Sequence, residues 1–166
     1  PEMARAIYSA SRERSVGLGV MGFHSFLQAR GLPFEGAMAK SWNMRIFKHV
    51  SASVNEASML LATERGACPD AEERGVMERF SCKTAIAPTA SISIICGGTS
   101  ACIEPIPANI YTHKTLSGSF SIRNPHLEKL LTEKAKNSEA VWNSILEQGG
   151  SVQHLDFLSS EEKDTF

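Results

Sequence analysis

The sequence predicts a mostly helical α/β domain, and three observations carry that prediction. Residues 37–65 form one long amphipathic run, and two further apolar runs follow helix-capping residues at Asn124 and Ser138. Between them, residues 84–111 hold a single charge in 28 positions and mix β-branched residues with Gly, Pro, Ser and Thr. Residues 112–124 (THKTLSGSFSIRN) then read as an extended or hairpin segment.

Taken in order, residues 15–30 (SVGLGVMGFHSFLQAR) predict a short helix with a glycine-heavy start. Val16, Val20, Phe23 and Leu27 recur at three- or four-residue steps, and Gly31 supplies the stop. Pro33 and Gly36 mark a loop. The helix over 37–65 carries Trp42, Ile46, Val50, Val54, Ala57 and Leu61 on one stripe, and Gly66 and Pro69 end it. At 1.5 Å per residue it is about 40 Å long. Residues 67–83 read as a charged loop with a short helix. Asn124 caps a helix with Pro125 at its first position, carrying Leu127, Leu130 and Leu131. Ser138 caps another through Val141, Trp142, Ile145 and Leu146, stopped by Gly149 and Gly150. The tail from Ser151 begins strand-like, and Ser159 or Ser160 opens a last helix.

The chain has 166 residues, 42% of them hydrophobic and 21% charged, an ordinary globular composition. Its 17 Lys and Arg nearly balance 18 Asp and Glu, which argues against a nucleic-acid partner. No apolar run approaches the ~18–20 residues of a membrane span, and no signal peptide is evident, so a cytoplasmic protein without membrane contact is expected. Cys68, Cys82, Cys96 and Cys102 have neither C-x-x-C nor zinc spacing, and no metal site is expected. The chain starts at Pro1 and ends at Phe166 without a stop signal, so residues 1–166 are expected to be one partial domain truncated at both ends.

Three stretches are candidates for chemistry. Gly17-Leu18-Gly19-Val20-Met21-Gly22 is a literal G-x-G-x-x-G, which in a dinucleotide fold lets backbone approach a pyrophosphate. That reading, an NAD-dependent oxidoreductase, needs a buried strand just before it, and SASRERS (9–15) cannot supply one. Glycines that permit close helix packing are the alternative. The second stretch is Pro88-Thr89-Ala90-Ser91-Ile92-Ser93. If a helix starts near Ser91, its first amides are unpaired and point outward, which makes a site for an anion such as phosphate. The alternative is a buried turn whose hydroxyls cap backbone groups. Gly97 and Gly98 just beyond allow further close approach of backbone. Third, Glu104 is the lone acid of the 84–111 stretch, expected to be buried and paired in a structural or a site-supporting role.

The string TAIAPTASISIICGGTSACIEPIPANIYTHKTLSGSF (84–120) resembles the large, catalytic subunit of class I ribonucleotide reductase. NPHLEKLL, GGSVQHLDFLS, RSVGLGVMGFHSFL and ASMLLATERGACP resemble segments of the same family in the same order. The resemblance implies a mostly helical piece of a ten-stranded α/β barrel, in which the GLGVMG glycines lie in a helical packing region and bind no dinucleotide. It implies radical-based reduction of ribonucleoside diphosphates at the 2′ carbon, with Pro88, Thr89, Ala90, Ser91 and Ile92 holding the substrate phosphates. Gly97, Gly98 and Glu104 would support that site. It further implies a second large subunit and a small radical-generating subunit as partners. The metal-radical cofactor would belong to the small subunit, a dithiol would be the reductant, and no cofactor would be bound by this segment. The family's radical cysteine lies in Asn-x-Cys-x-Glu and its radical relay in a Tyr-Tyr pair. Neither occurs here, so no catalytic residue is expected in this chain and it is expected to be inactive alone. A split-gene piece that acts only by docking to a complementary reductase chain is the alternative.

Overall fold

A computed structural model describes residues 2–115 and 118–166, with the side chains of His113 and Thr115 outside the description. Residues 1–166, expected as one partial domain, pack as two compact units. One joins the residues up to Val20 with Ser41–Thr89, and the other joins Met21–Lys40 with Ala90–Phe166.

The first unit opens with α1 (Ala4–Glu13), a helix the sequence reading does not anticipate. It is amphipathic but buries none of its residues, and an ion pair of Arg12 with Asp70 (2.7 Å) and Glu73 (2.6 Å) ties it to α4 (Pro69–Glu72). The expected helix over 15–30 is not formed at its start. Residues 15–20 are extended: Val16 and Leu18 donate to the carbonyls of Cys82 and Lys83, Ala85 donates to Leu18, and Leu18 bridges Thr84 in parallel. The physical reason lies in the glycines. Each costs a helix about 1 kcal/mol relative to Ala, whereas a neighbouring strand uses their missing side chains. A Cβ on Gly17 would lie 2.8 Å from Ala85 Cβ, and one on Gly19 would lie 2.8 Å from the Ala85 carbonyl oxygen. The glycines therefore serve close approach of two extended segments, not helical packing. The dinucleotide reading fails on the same facts, because α1 and not a buried strand precedes the run.

The long helix α3 spans Ala37–Arg65 as its periodicity predicts. The stripe Trp42, Ile46, Val50, Val54 and Leu61 is half-buried, Ala57 is exposed, and the buried positions are Ala39, Ser58 and Ala62. Ser58 explains why: its Oγ accepts from the Arg79 and Phe80 amides, so residues 79–80 lie across that face. Gly66, at φ +82°, ends the helix in the left-handed region, and Arg79 Nη1 donates to the carbonyls of Arg65 and Gly66. Val16, Leu18, Met44 and Ile86 remain exposed, and a cavity of about 400 Å³ lies among Leu18, Val20, Phe47, Val50 and Ile86.

The second unit holds α2 (Phe23–Gln28), α5 (Ala90–Ile95), a hairpin of β1 (Ile110–Thr115) and β2 (Gly118–Arg123), then α6 (Pro125–Glu133), α7 (Glu139–Glu147) and α8 (Ser160–Thr165). The expected hairpin is present, with Ile110 opposite Arg123 and Tyr111 opposite Ile122; its connecting residues 116 and 117 lie outside the described residues. The capping signals are realised as side-chain bonds. Asn124 accepts from the His126 amide, Ser138 from Val141, and Ser159 forms a reciprocal box with Glu162. Leu127, Leu131, Trp142, Ile145, Val152, Leu155 and Leu158 make one core with Ile110. The expected strand after Ser151 is absent. Residues 152–158 turn instead, with Leu155 donating to Val152 and Leu158 to Leu155, because a three-residue step brings all three apolar side chains to the core. Among the described residues no helix is long and apolar enough to cross a membrane.

Candidate functional site

The extended run entered at Thr84 reaches Pro88, which cannot donate a backbone hydrogen bond, and then Thr89 at φ +49°. A β-branched residue in the left-handed region is strained. The next residue, Ala90, begins α5. The first amides of a helix have no acceptor within it. Among the described residues, the N–H groups of Ala90, Ser91 and Ile92 find no backbone acceptor elsewhere either. Pro88, Ala90, Ser91 and Ile92 are exposed and Thr89 is half-buried. Only Ser93 of α5 is buried, and its hydroxyl donates back to the Ala90 carbonyl at 3.1 Å.

Gly97 and Gly98, at φ +86° and +71°, end α5, with the Gly98 amide donating to Ser93 and Ile94. The chain then doubles back to form one wall of a cleft of about 320 Å³, whose lining includes Ala90, Ser93, Thr99, Ile106, Tyr111 and Arg123. Of the residues singled out from the sequence, Ala90, Gly98 and Glu104 border this cleft, while Pro88, Thr89, Ser91, Ile92 and Gly97 do not. The expectation of a buried, paired Glu104 is corrected. Its carboxylate is exposed and has no ion-pair partner among the described residues, because it follows the turn 102–103, whose backbone bond runs from the Glu104 amide to Ala101. An apolar neighbourhood in sequence does not bury an acid that sits on a turn.

The buried polar residues around this loop escape sequence reasoning. Ser25 and Ser100 exchange bonds, each hydroxyl accepting from the other's amide at 3.1 and 2.9 Å. Asn124 Nδ2 donates to Gln28 Oε1 and Asn109 Oδ1, and Asn109 Nδ2 donates to the carbonyls of Gly150 and Phe166. His24 Nδ1 accepts from the Ile106 amide at 2.8 Å. Burial, reinforced by His126, pushes the His24 imidazole down to about 4, and burial also lowers His126, with Lys129 adding to it. Between pH 6.5 and about 4, His24 is neutral when folded and protonated when unfolded, so the unfolded state binds the extra proton. Stability is therefore full above about pH 6.5 and is lost as the pH falls toward 4. Urea denaturation of wild type and His24→Asn at several pH values checks this: the difference between them should shift in favour of the variant on acidification. Parallel curves would exclude His24 as the source.

The sequence model of the ribonucleotide reductase barrel domain matches residues 2–79 and 70–166. The chain belongs to the ribonucleotide reductase barrel-domain family. The ribonucleoside-diphosphate reductase large subunit of Invertebrate iridescent virus 6 is 44% identical over 170 residues, covering 100% of this chain and 18% of the viral protein. That of Invertebrate iridescent virus 3 is 44% identical over 169 residues, covering 100% of this chain and 26% of its own length. Among solved structures, the Actinobacillus ureae class Id ribonucleotide reductase alpha subunit superposes with a TM-score of 0.89 at 40% identity, covering 100% of this chain and 30% of that one. The chain thus spans less than a third of the length of these reductase subunits. Membership in the barrel domain agrees with the α/β class and the family read from residues 84–120.

Proposed function

We propose that this chain acts within a ribonucleoside-diphosphate reductase large subunit, and that Pro88–Ile92 holds the substrate's diphosphate. The observation that supports the reading is the exposed first turn of α5, where the amides of Ala90, Ser91 and Ile92 have no backbone acceptor among the described residues and Thr89 stands in the left-handed region just before them. Amides and hydroxyls bind phosphate without bringing a full charge, and the start of the helix adds a favourable dipole. These residues bind and orient; the proposed reduction at the 2′ carbon uses groups elsewhere in the subunit. Among the described residues no three His, Cys, Asp or Glu side chains converge on a metal-sized site. The metal-radical group is proposed to reside in a small partner subunit and the reducing equivalents to come from a dithiol. A second large subunit completes the proposed assembly.

The test compares binding of a ribonucleoside diphosphate and the corresponding ribonucleoside to the intact large subunit by calorimetry. Loss of several charge-assisted hydrogen bonds should weaken the nucleoside by about a hundredfold or more. Equal affinities would contradict a phosphate-binding loop.

A further inference from the structure

A helix of six residues with one buried side chain cannot fix its own position by packing. What immobilises the segment after α5 is its attachment to α2. The Ser100 carbonyl accepts from the Gly22 amide at 2.9 Å, and the Cys102 carbonyl accepts from Phe23 at 3.4 Å. Ser25 and Ser100 add their reciprocal pair, and His24 takes the Ile106 amide. Gly22, at φ +82°, lets the contact close, since a Cβ there would stand 2.6 Å from Thr99 Oγ1. The loop 99–106 therefore satisfies the first amides of α2, and α2 in return holds the loop.

His24 has a distinct place in this arrangement. It is 6% exposed, and its ring meets Phe34 edge-on at 5.5 Å, which fixes the plane of the imidazole. Accepting at Nδ1 requires the tautomer with its proton on Nε2. The group it holds, Ile106, lines the same cleft as Ala90 and Ser93 of α5. We propose that His24 is a positioning residue for the diphosphate loop: by holding the Ile106 amide it fixes the cleft wall that faces the first turn of α5. This rests on the reading of Pro88–Ile92 as the phosphate site. No other side chain hydrogen-bonds the Ile106 amide among the described residues.

The experiment uses the intact large subunit and three substitutions of His24. Asn places Oδ1 two bonds from Cβ, where Nδ1 sits, and so keeps the acceptor. Gln places its amide one atom further out, and Leu keeps bulk without any acceptor. Equilibrium binding of a ribonucleoside diphosphate should weaken about tenfold in His24→Leu and His24→Gln, the scale of one lost positioning bond, and stay within about twofold of wild type in His24→Asn. Hydrogen exchange of the peptide spanning 99–108 should rise in the same two variants and not in Asn. A merely structural role would lower melting temperature without this Asn-against-Gln split in affinity. Where His24→Leu fails to fold, the Asn and Gln pair decides alone. Equal affinities for Asn and Gln would overturn the proposal. Ser91→Asp, run alongside, separates the two claims: if it too leaves affinity unchanged, the phosphate reading has failed, and if it alone weakens binding, only the role of His24 has.

Discussion

Ser91→Asp in the intact large subunit should weaken ribonucleoside diphosphate binding by about a hundredfold. Ser91 is the second residue of α5 and its side chain is exposed beside the proposed anion site. A carboxylate there would stand beside the proposed position of the substrate phosphates, and juxtaposed like charges cost several kcal/mol. The substitution does not act by unfolding the helix. An acidic residue in the first turn favours the dipole, by a few tenths to about 1 kcal/mol, so α5 should persist. Ser91→Asn, of nearly the same size and uncharged, supplies the control. It should cost far less, and the Asp penalty should shrink as salt is raised. Equal losses for Asp and Asn would mean that bulk and not charge is the cause, and no loss in either would remove phosphate from this loop.

Trp142→Ala should be the most destabilising single change in the second unit. Trp142 is fully buried in the core that includes Leu127, Leu131 and Ile145, and its Nε1 donates to Asn137 Oδ1 at 2.8 Å. The Arg123 guanidinium, held by both oxygens of Glu139, stands 5.1 Å from the indole centroid. Truncation removes the apolar contacts, opens a cavity and leaves the Asn137 acceptor without its donor, a loss of about 3–5 kcal/mol. Amides of α6 and α7 should then exchange about two to three orders of magnitude faster. Trp142→Phe, which keeps most of the volume, should fall well short of that. Unchanged exchange in the Ala variant would mean that this core does not support the two helices.

Local signals explain why some elements were legible in the sequence. The periodicity of 37–65, the capping residues Asn124 and Ser138, the helix start at Ser159 or Ser160, and the glycine stops act within a few residues of one another, and each is realised in the structure, with Ser159 as the last cap. The start of α5 belongs with them, since Pro88 and the hydroxyl run sit where the helix begins. The segment 15–22 reads as helical from its apolar steps, whereas its glycines also permit the close approach of extended segments. Its partner, residues 82–85, decides the matter from more than sixty positions away. Glu104 misled for a related reason: the charge-poor stretch around it suggested burial, whereas the backbone turn at 102–103 sets its exposure. His24 and Ile106, which are 82 residues apart, meet only through the fold. Nothing in GFHSFL distinguishes that histidine from a core-facing one.

The most direct measurement is the structure of the intact large subunit with a bound ribonucleoside diphosphate. The account predicts phosphate oxygens within about 3.2 Å of the backbone nitrogens of Ala90, Ser91 and Ile92, with Thr89 still in its left-handed conformation. A diphosphate ordered elsewhere, with residues 88–92 free of contact to it, would contradict the account.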